Sequence, residues 1–115
     1  MTVVLLSSDL AVLSRVEGAA TRLGQSVRSV HGESQAADFC KADVSNTLII
    51  DLWMPSLDLA SLVSQLKSDE GSDMRVVAFG PHVHEQRLTA AREAGCDLVV
   101  SRGQFFSQLE TILKG

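Results

Sequence analysis

Residues 48–58 read LIIDLWMPSLD. Residues 47–50 form the most hydrophobic strand candidate in the chain, and Asp51 closes it. Met54 and Pro55 prevent the strand from continuing, because proline cannot donate to the hydrogen-bond ladder of a sheet. A carboxylate at the end of a buried strand is costly unless it is paired, hydrated or used. Asp51 is therefore the first candidate for a functional residue.

On both sides of this stretch, short apolar runs alternate with amphipathic segments. The runs predict strands over residues 3–6, 47–50, 76–79 and 98–101, and a weaker, alternating pattern predicts a further strand over residues 26–30. The amphipathic segments predict helices over about residues 10–23, 34–40, 59–66, 84–94 and 105–113. In the last helix, the side chains expected to be buried are Phe106, Leu109, Ile112 and Leu113.

Five β-α repeats predict an α/β fold with a doubly wound, five-stranded parallel sheet between two layers of helices, α/β/α. The 115 residues suit a single domain, residues 1–115. Functional residues of such folds lie at the carboxyl ends of the strands. Those ends are residues 7–9, 51–53, 80–81 and 101–103.

The composition excludes several classes of function. A net charge of −4 gives no reason to expect nucleic-acid binding, which needs clustered Lys and Arg. No apolar run is long enough to span a membrane, and residues 1–6 lack the basic start of a signal peptide. Cys40 and Cys96 are far apart and show no metal-ligand spacing. Together these features predict a cytoplasmic domain.

The segment 48–58 resembles the phosphoacceptor strand of response-regulator receiver domains, which have a flavodoxin-like fold. In that family an aspartate closes the third strand and is followed by x-x-Met-Pro-x-x-Asp-Gly, and here only the glycine differs, as Leu59. Residues 95–97 are similar to the family's Gly-Ala-Asp before the fifth strand. Arg102 stands at the position of the family's lysine, and Gly103 at that of its cis-proline. The resemblance covers the whole chain.

The resemblance implies a two-component or phosphorelay signalling domain that is not itself an enzyme. Asp51 would accept a phosphoryl group from a histidine kinase or a phosphotransfer protein, while Mg²⁺ bridges the carboxylate and the phosphoryl oxygens. In the family, two acids after the first strand hold the metal, together with a backbone carbonyl that would here belong to Trp53. The surface of the fourth helix, fifth strand and fifth helix would contact an output domain or another partner, including a second copy in a homodimer.

Several positions depart from the family pattern, and they predict an atypical receiver, or pseudo-receiver. Ser7 and Ser8 occupy the positions of the two acids, and Gly80 replaces the switch hydroxyl. Val99 replaces the switch aromatic residue, and Arg102 keeps the charge of the lysine but not its shape. Since Mg²⁺ sites depend on carboxylates, weak Mg²⁺ binding at most is expected. A protein-interaction module is the favoured function.

Asp9 and Arg102 each have two interpretations. Asp9 either caps the first helix or stands in as a metal ligand. Arg102 is either a solvated loop residue or a partner of Asp51 or of a phosphate group, and a bidentate contact with Asp51 would occupy the space for a phosphoryl group.

Two alternative functions remain open. One is a divergent receiver that is still phosphorylated on Asp51. The other is a flavodoxin-like domain that binds a small molecule, although residues 7–10 are too short and lack the glycine of a phosphate loop. His82 and His84 are expected on an exposed face without function. Trp53 is expected either to contact a partner or to plug the pocket.

Overall fold

The computed structural model describes residues 2–32, 34–36, 45–53, 58–67 and 74–114. The strands are β1 (Thr2–Leu6), β2 (Ser26–Val30), β3 (Ser45–Asp51), β4 (Arg75–Gly80) and β5 (Leu98–Ser101). The helices are α1 (Leu10–Arg22), α2 (Leu59–Lys67), α3 (Glu85–Ala94), α4 (Arg102–Ser107) and α5 (Leu109–Lys114). Residues 34–36 are helical as well, where the second helix is predicted to begin. Its expected members Ala37, Phe39 and Cys40 lie outside the described residues.

The five strands form one parallel sheet in the order β2-β1-β3-β4-β5. Side chains alternate between its two faces, as the pleat of a strand requires. One face carries Val4 and Leu6 and packs against α2 and α3, while the other carries Val3 and Leu5 and packs against α1, α4 and α5. The predicted three-layer, doubly wound architecture is confirmed.

The carboxyl ends of four strands meet at one edge of the sheet. Leu6 pairs with Ile50, Asp51 with Phe79, and Gly80 with Ser101. This register brings together the segments that follow β1, β3, β4 and β5, where the sequence predicts the functional residues.

The last helix differs from its prediction in two ways. It begins at Arg102 because Ser101 and Gln104 form a capping box, in which each side chain bonds the other residue's backbone N–H. It then breaks at Gln108 into α4 and α5. Phe105 is fully buried, and its ring stacks on Phe79 at 4.2 Å between centroids. The prediction that Phe106 would be buried is wrong in part, because Phe106 lies at the edge of the core.

Among the described residues, no helix combines the length and the apolar character needed to cross a bilayer.

Candidate functional site

The carboxylate of Asp51 is buried, and each of its oxygens accepts one hydrogen bond from the described part of the chain. The Ser7 hydroxyl donates to Oδ2 at 2.8 Å, and the Trp53 backbone N–H donates to Oδ1 at 3.0 Å. Asp51 and Ser7 are each only 3% exposed. The Ser7 hydroxyl also accepts from the Asp9 N–H at 3.1 Å, which fixes its orientation. The structure thus joins Ser7 to Asp51, as their positions predict, whereas Ser8 is exposed.

Arg102 pairs with Asp9 and not with Asp51. Its Nη2 donates to Asp9 Oδ2 at 3.0 Å, and its guanidinium carbon lies 5.1 Å from the centre of the Phe106 ring. Of the interpretations of Arg102, the contact with Asp51 is therefore wrong, and a role as partner of a phosphate group stays a prediction. Arg102 is the first residue of α4, and the Phe106 ring supports its guanidinium from within the same helix. Since the Arg102 guanidinium is bound to Asp9, the described groups that bind the Asp51 carboxylate are both neutral: the Ser7 hydroxyl and the Trp53 backbone N–H.

Asp9 caps α1 and holds Arg102 at the same time. Its Oδ1 accepts from the Ala11 N–H at 2.9 Å and caps the helix, while its Oδ2 accepts from Arg102. The hydrogen bond from Arg102, followed by that from Ala11, lowers the pKa of the Asp9 carboxyl below its ordinary value. Because the Asp9 carboxylate is already paired with Arg102 and bonded to the Ala11 N–H, it is a weaker ligand for a metal ion.

This lowered pKa predicts a dependence of stability on pH. A carboxyl whose folded pKa is lowered stabilises the fold fully above its unfolded pKa, about 3.9, and this contribution is lost as the pH falls through the folded value. Asp9→Asn retains a capping side chain but removes the charge. Urea unfolding of both proteins from pH 6 to pH 2.5 should therefore show a difference at pH 6 that shrinks below about pH 4.

The effect should be small, because the two paired side chains are 36% and 37% exposed and water screens them. A difference between wild type and Asp9→Asn that stayed constant down to pH 2.5 would mean that the ion pair contributes nothing.

Gly80 leaves room for Leu52 at the position of the expected switch hydroxyl. A Cβ atom on Gly80 would lie 3.2 Å from the Leu52 Cβ and 3.8 Å from Leu88 Cδ2. Leu52 is itself 5% exposed and belongs to the core. A serine or threonine would have to displace this packing. Val99, at the position of the switch aromatic, is half-buried and packs against the same cluster.

Trp53 connects the segment after β3 to the start of α3. Its indole stacks on the His84 ring with centroids 5.0 Å apart and planes 2° from parallel. Next to it, Arg87 Nη1 donates to the Leu52 carbonyl at 2.9 Å. Trp53 is 59% exposed, which favours a contact residue over a plug. The role of its carbonyl as a metal ligand stays a prediction.

His84 and Arg87 belong to the site, although the sequence does not predict them there. His82 is exposed as expected, but His84 is half-buried, and its Nδ1 is buried without a partner among the described residues. The one sequence feature that could have placed His84 at the site is its position just after β4, at the edge where the carboxyl ends of the strands meet. No pattern in the sequence distinguishes Arg87 from the other exposed arginines.

The described residues do not fit the Mg²⁺ site that the fold implies. Both oxygens of Asp51 already accept hydrogen bonds, Ser7 offers a neutral hydroxyl, and Asp9 carries a guanidinium. No group of three His, Cys, Asp or Glu side chains suited to a metal occurs among the described residues. Mg²⁺ prefers several carboxylate or phosphate oxygens, and one carboxylate supplies too little charge.

Comparisons with known proteins agree with this architecture. No protein-family model matches the chain. The response regulator MprA of Mycobacterium avium is 27% identical over 97 residues, and the matched region covers 84% of this chain and 42% of that protein. The chain therefore spans about two fifths of the length of the curated relatives that it matches.

Solved structures match over almost the whole chain. The receiver domain of the sensor histidine kinase PA1611 from Pseudomonas aeruginosa, solved with a magnesium ion in its active site cleft, has a TM-score of 0.81 at 18% identity, covering 98% of this chain and 93% of its own. A response regulator from Chloroflexus aurantiacus has a TM-score of 0.82 at 18% identity and the same coverage. The fold is that of the response-regulator receiver domains.

Proposed function

We propose that this chain is a receiver-like domain of a two-component or phosphorelay system that acts as a protein-interaction module with a degenerate metal site. The observation that carries the proposal is the state of Asp51, which is buried and bound by a hydroxyl and a backbone N–H. Phosphoryl transfer instead depends on positive charge around the acceptor and the phosphoryl oxygens, whereas the described donors to Asp51 are neutral. In this proposal the domain works by contact, in the cytoplasm, and not by catalysis.

The loss of the switch residues supports the same conclusion. Phosphorylation changes a surface only if two states of the protein bind the phosphoryl group differently. Gly80 has no hydroxyl, Leu52 lies within 3.2 Å of the position that a Cβ on residue 80 would take, and Val99 packs against the core. A phosphoryl group on Asp51 would therefore have no hydroxyl at residue 80 to attract.

The partner surface in this proposal is the face made by α3, β5 and α4–α5. A shallow groove of about 580 Å³ crosses it, lined by His82, Glu85, Leu88, Thr89, Arg92, Ser101 and Gln104. The Trp53–His84 stack and the Arg87–Leu52 hydrogen bond hold the start of α3 in place. A surface fixed in this way suits constitutive docking of a kinase, a phosphotransfer protein, an output domain or a second copy.

The proposal is tested through the fluorescence of Trp53, the only tryptophan in the chain. The protein is titrated with Mg²⁺ and then with beryllofluoride at fixed pH and ionic strength. Because the backbone N–H of Trp53 donates to Asp51, occupancy of the pocket would move this residue and change the emission of its indole. We expect no saturable change up to about 10 mM Mg²⁺, since the described residues offer the cation a single unpaired carboxylate, that of Asp51.

Asp51→Asn is the control for this titration. A saturable change in the wild type that is lost in Asp51→Asn would overturn the degenerate site. It would support the alternative function, a receiver that still accepts a phosphoryl group on Asp51 from a histidine kinase. Fluorescence changes that are equal in both proteins would come from the exposed indole and not from the pocket, and the proposal of a degenerate metal site would stand.

A further inference from the structure

A groove beside α1 has features of an anion-binding site. It has a volume of about 590 Å³ and lies between α1 and the break that separates α4 from α5. Gly18 opens the α1 wall, because a Cβ there would meet only Arg22 Nη1, at 3.6 Å. The break at Gln108 forms the other wall. Gly18 and the break at Gln108 therefore both border the groove.

Two arginines, Arg15 and Arg22, line the groove from the same helix. They are seven residues apart, which places them two turns apart on one face of α1. Arg22 Nε pairs with Glu110 Oε1 at 2.6 Å. The guanidinium of Arg15 lies 4.7 Å from the centre of the Phe106 ring. The three charges leave a net positive charge in the groove.

We propose that this groove binds a phosphate-bearing small molecule. The guanidinium of Arg15 is planar, and its N–H edge can form two parallel bonds to phosphate oxygens while its carbon stays over the Phe106 ring. The hydroxyls of Ser14 and Thr111 line the same groove and can donate to the remaining oxygens. The Ser107 hydroxyl also lines it, but it already donates to the Gln104 carbonyl at 3.2 Å. The groove holds more than an inorganic ion, which leaves room for the ester part of a phosphomonoester.

The groove is joined to the candidate site through a single ring. Phe106 contacts Arg15 from α1 and Arg102 from α4, and Arg102 binds Asp9. An anion that draws Arg15 toward the groove changes the environment of this ring and hence of Arg102. Binding of an anion in the groove should therefore also be detectable at Arg102, whether or not Asp51 is phosphorylated.

The test is a titration of the ¹⁵N-labelled chain, followed by NMR, with inorganic phosphate and separately with adenosine 5′-monophosphate, at constant ionic strength. Saturable shifts are expected at the Gly18 amide, the Arg15 side chain and the Arg102 Nε–H, with half-saturation in the millimolar range, about 1–10 mM. Tighter binding of the nucleotide would assign the site to phosphomonoesters, and equal binding would assign it to the free anion.

Three variants make the result decisive. Arg15→Gln should weaken binding about tenfold, and Gly18→Leu should abolish it by filling the groove. Leucine favours a helix over glycine, so Gly18→Leu should stay folded. Arg28→Gln removes an exposed arginine of β2 that lines neither groove, and it should bind like the wild type. Shifts that do not saturate, or that weaken as much in Arg28→Gln as in Arg15→Gln, would overturn the proposal.

Discussion

Phe105→Ala is expected to lower the free energy of unfolding by about 3–5 kcal/mol, the usual cost of truncating a buried phenylalanine. Phe105 is 0% exposed, and its ring lies 4.2 Å from the ring of Phe79, only 7° from parallel. Alanine would leave a cavity between the sheet and α4 that neighbouring side chains cannot fill. Urea unfolding followed by circular dichroism measures the loss.

The adjacent phenylalanine provides a matched control. Phe106 is half-buried at the edge of the core, and its ring contacts the guanidinium groups of Arg15 and Arg102. Phe106→Ala should cost about 1–2 kcal/mol, from partial burial and weak cation–π contacts. If the two variants lost equal free energy of unfolding, the orientation of α4 that buries Phe105 and leaves Phe106 at the edge of the core would be contradicted.

This pair of residues also shows why the fold was easier to predict than its last helix. Four of the five strands follow from continuous apolar runs and β2 from a weaker alternating pattern, and β5 was predicted at its observed bounds. The start of the last helix depends on which residue caps it, and the apolar pattern does not show this. Ser101 and Gln104 have the spacing of a capping box, and this signal would have moved the predicted start to residue 102.

The site was predictable in its place but not in its pairings. Strand order alone brings Ser7 next to Asp51, because parallel strands end at a common edge. Which carboxylate Arg102 binds depends on the direction of α4 and on the Phe106 ring, and neither is encoded in residue spacing. Likewise, the Trp53–His84 stack joins two loops that are distant in sequence.

Ser7→Asp is the second variant with a large expected effect on the free energy of unfolding, because it restores the acid that receiver domains have at this position. The Ser7 hydroxyl donates to Asp51 at 2.8 Å, and both residues are almost fully buried. Aspartate at this position would exchange a donor for a second carboxylate beside Asp51. At pH 8 and without divalent cations, the free energy of unfolding should fall by about 2–4 kcal/mol, because two buried like charges repel and the donor is lost.

Mg²⁺ should reverse part of this loss. Two adjacent carboxylates provide the charge that the wild-type site lacks, so the cation binds the folded variant and not the unfolded chain. With 10 mM Mg²⁺ and a dissociation constant of about 1 mM, the folded state gains about 1.4 kcal/mol. The wild type should gain much less, and NaCl matched in ionic strength should leave both proteins unchanged.

Ser7→Asn separates charge from the loss of the hydroxyl. Asparagine has nearly the size of aspartate and can still donate to Asp51, so a modest destabilisation with no response to Mg²⁺ is expected. If Ser7→Asp responded no more strongly than Ser7→Asn, the pairing of Arg102 with Asp9, and not the missing acid, would be what prevents metal binding. If the wild type gained as much from Mg²⁺ as Ser7→Asp, the serine would be a competent substitute for the acid, and phosphorylation of Asp51 would become the better account of this domain.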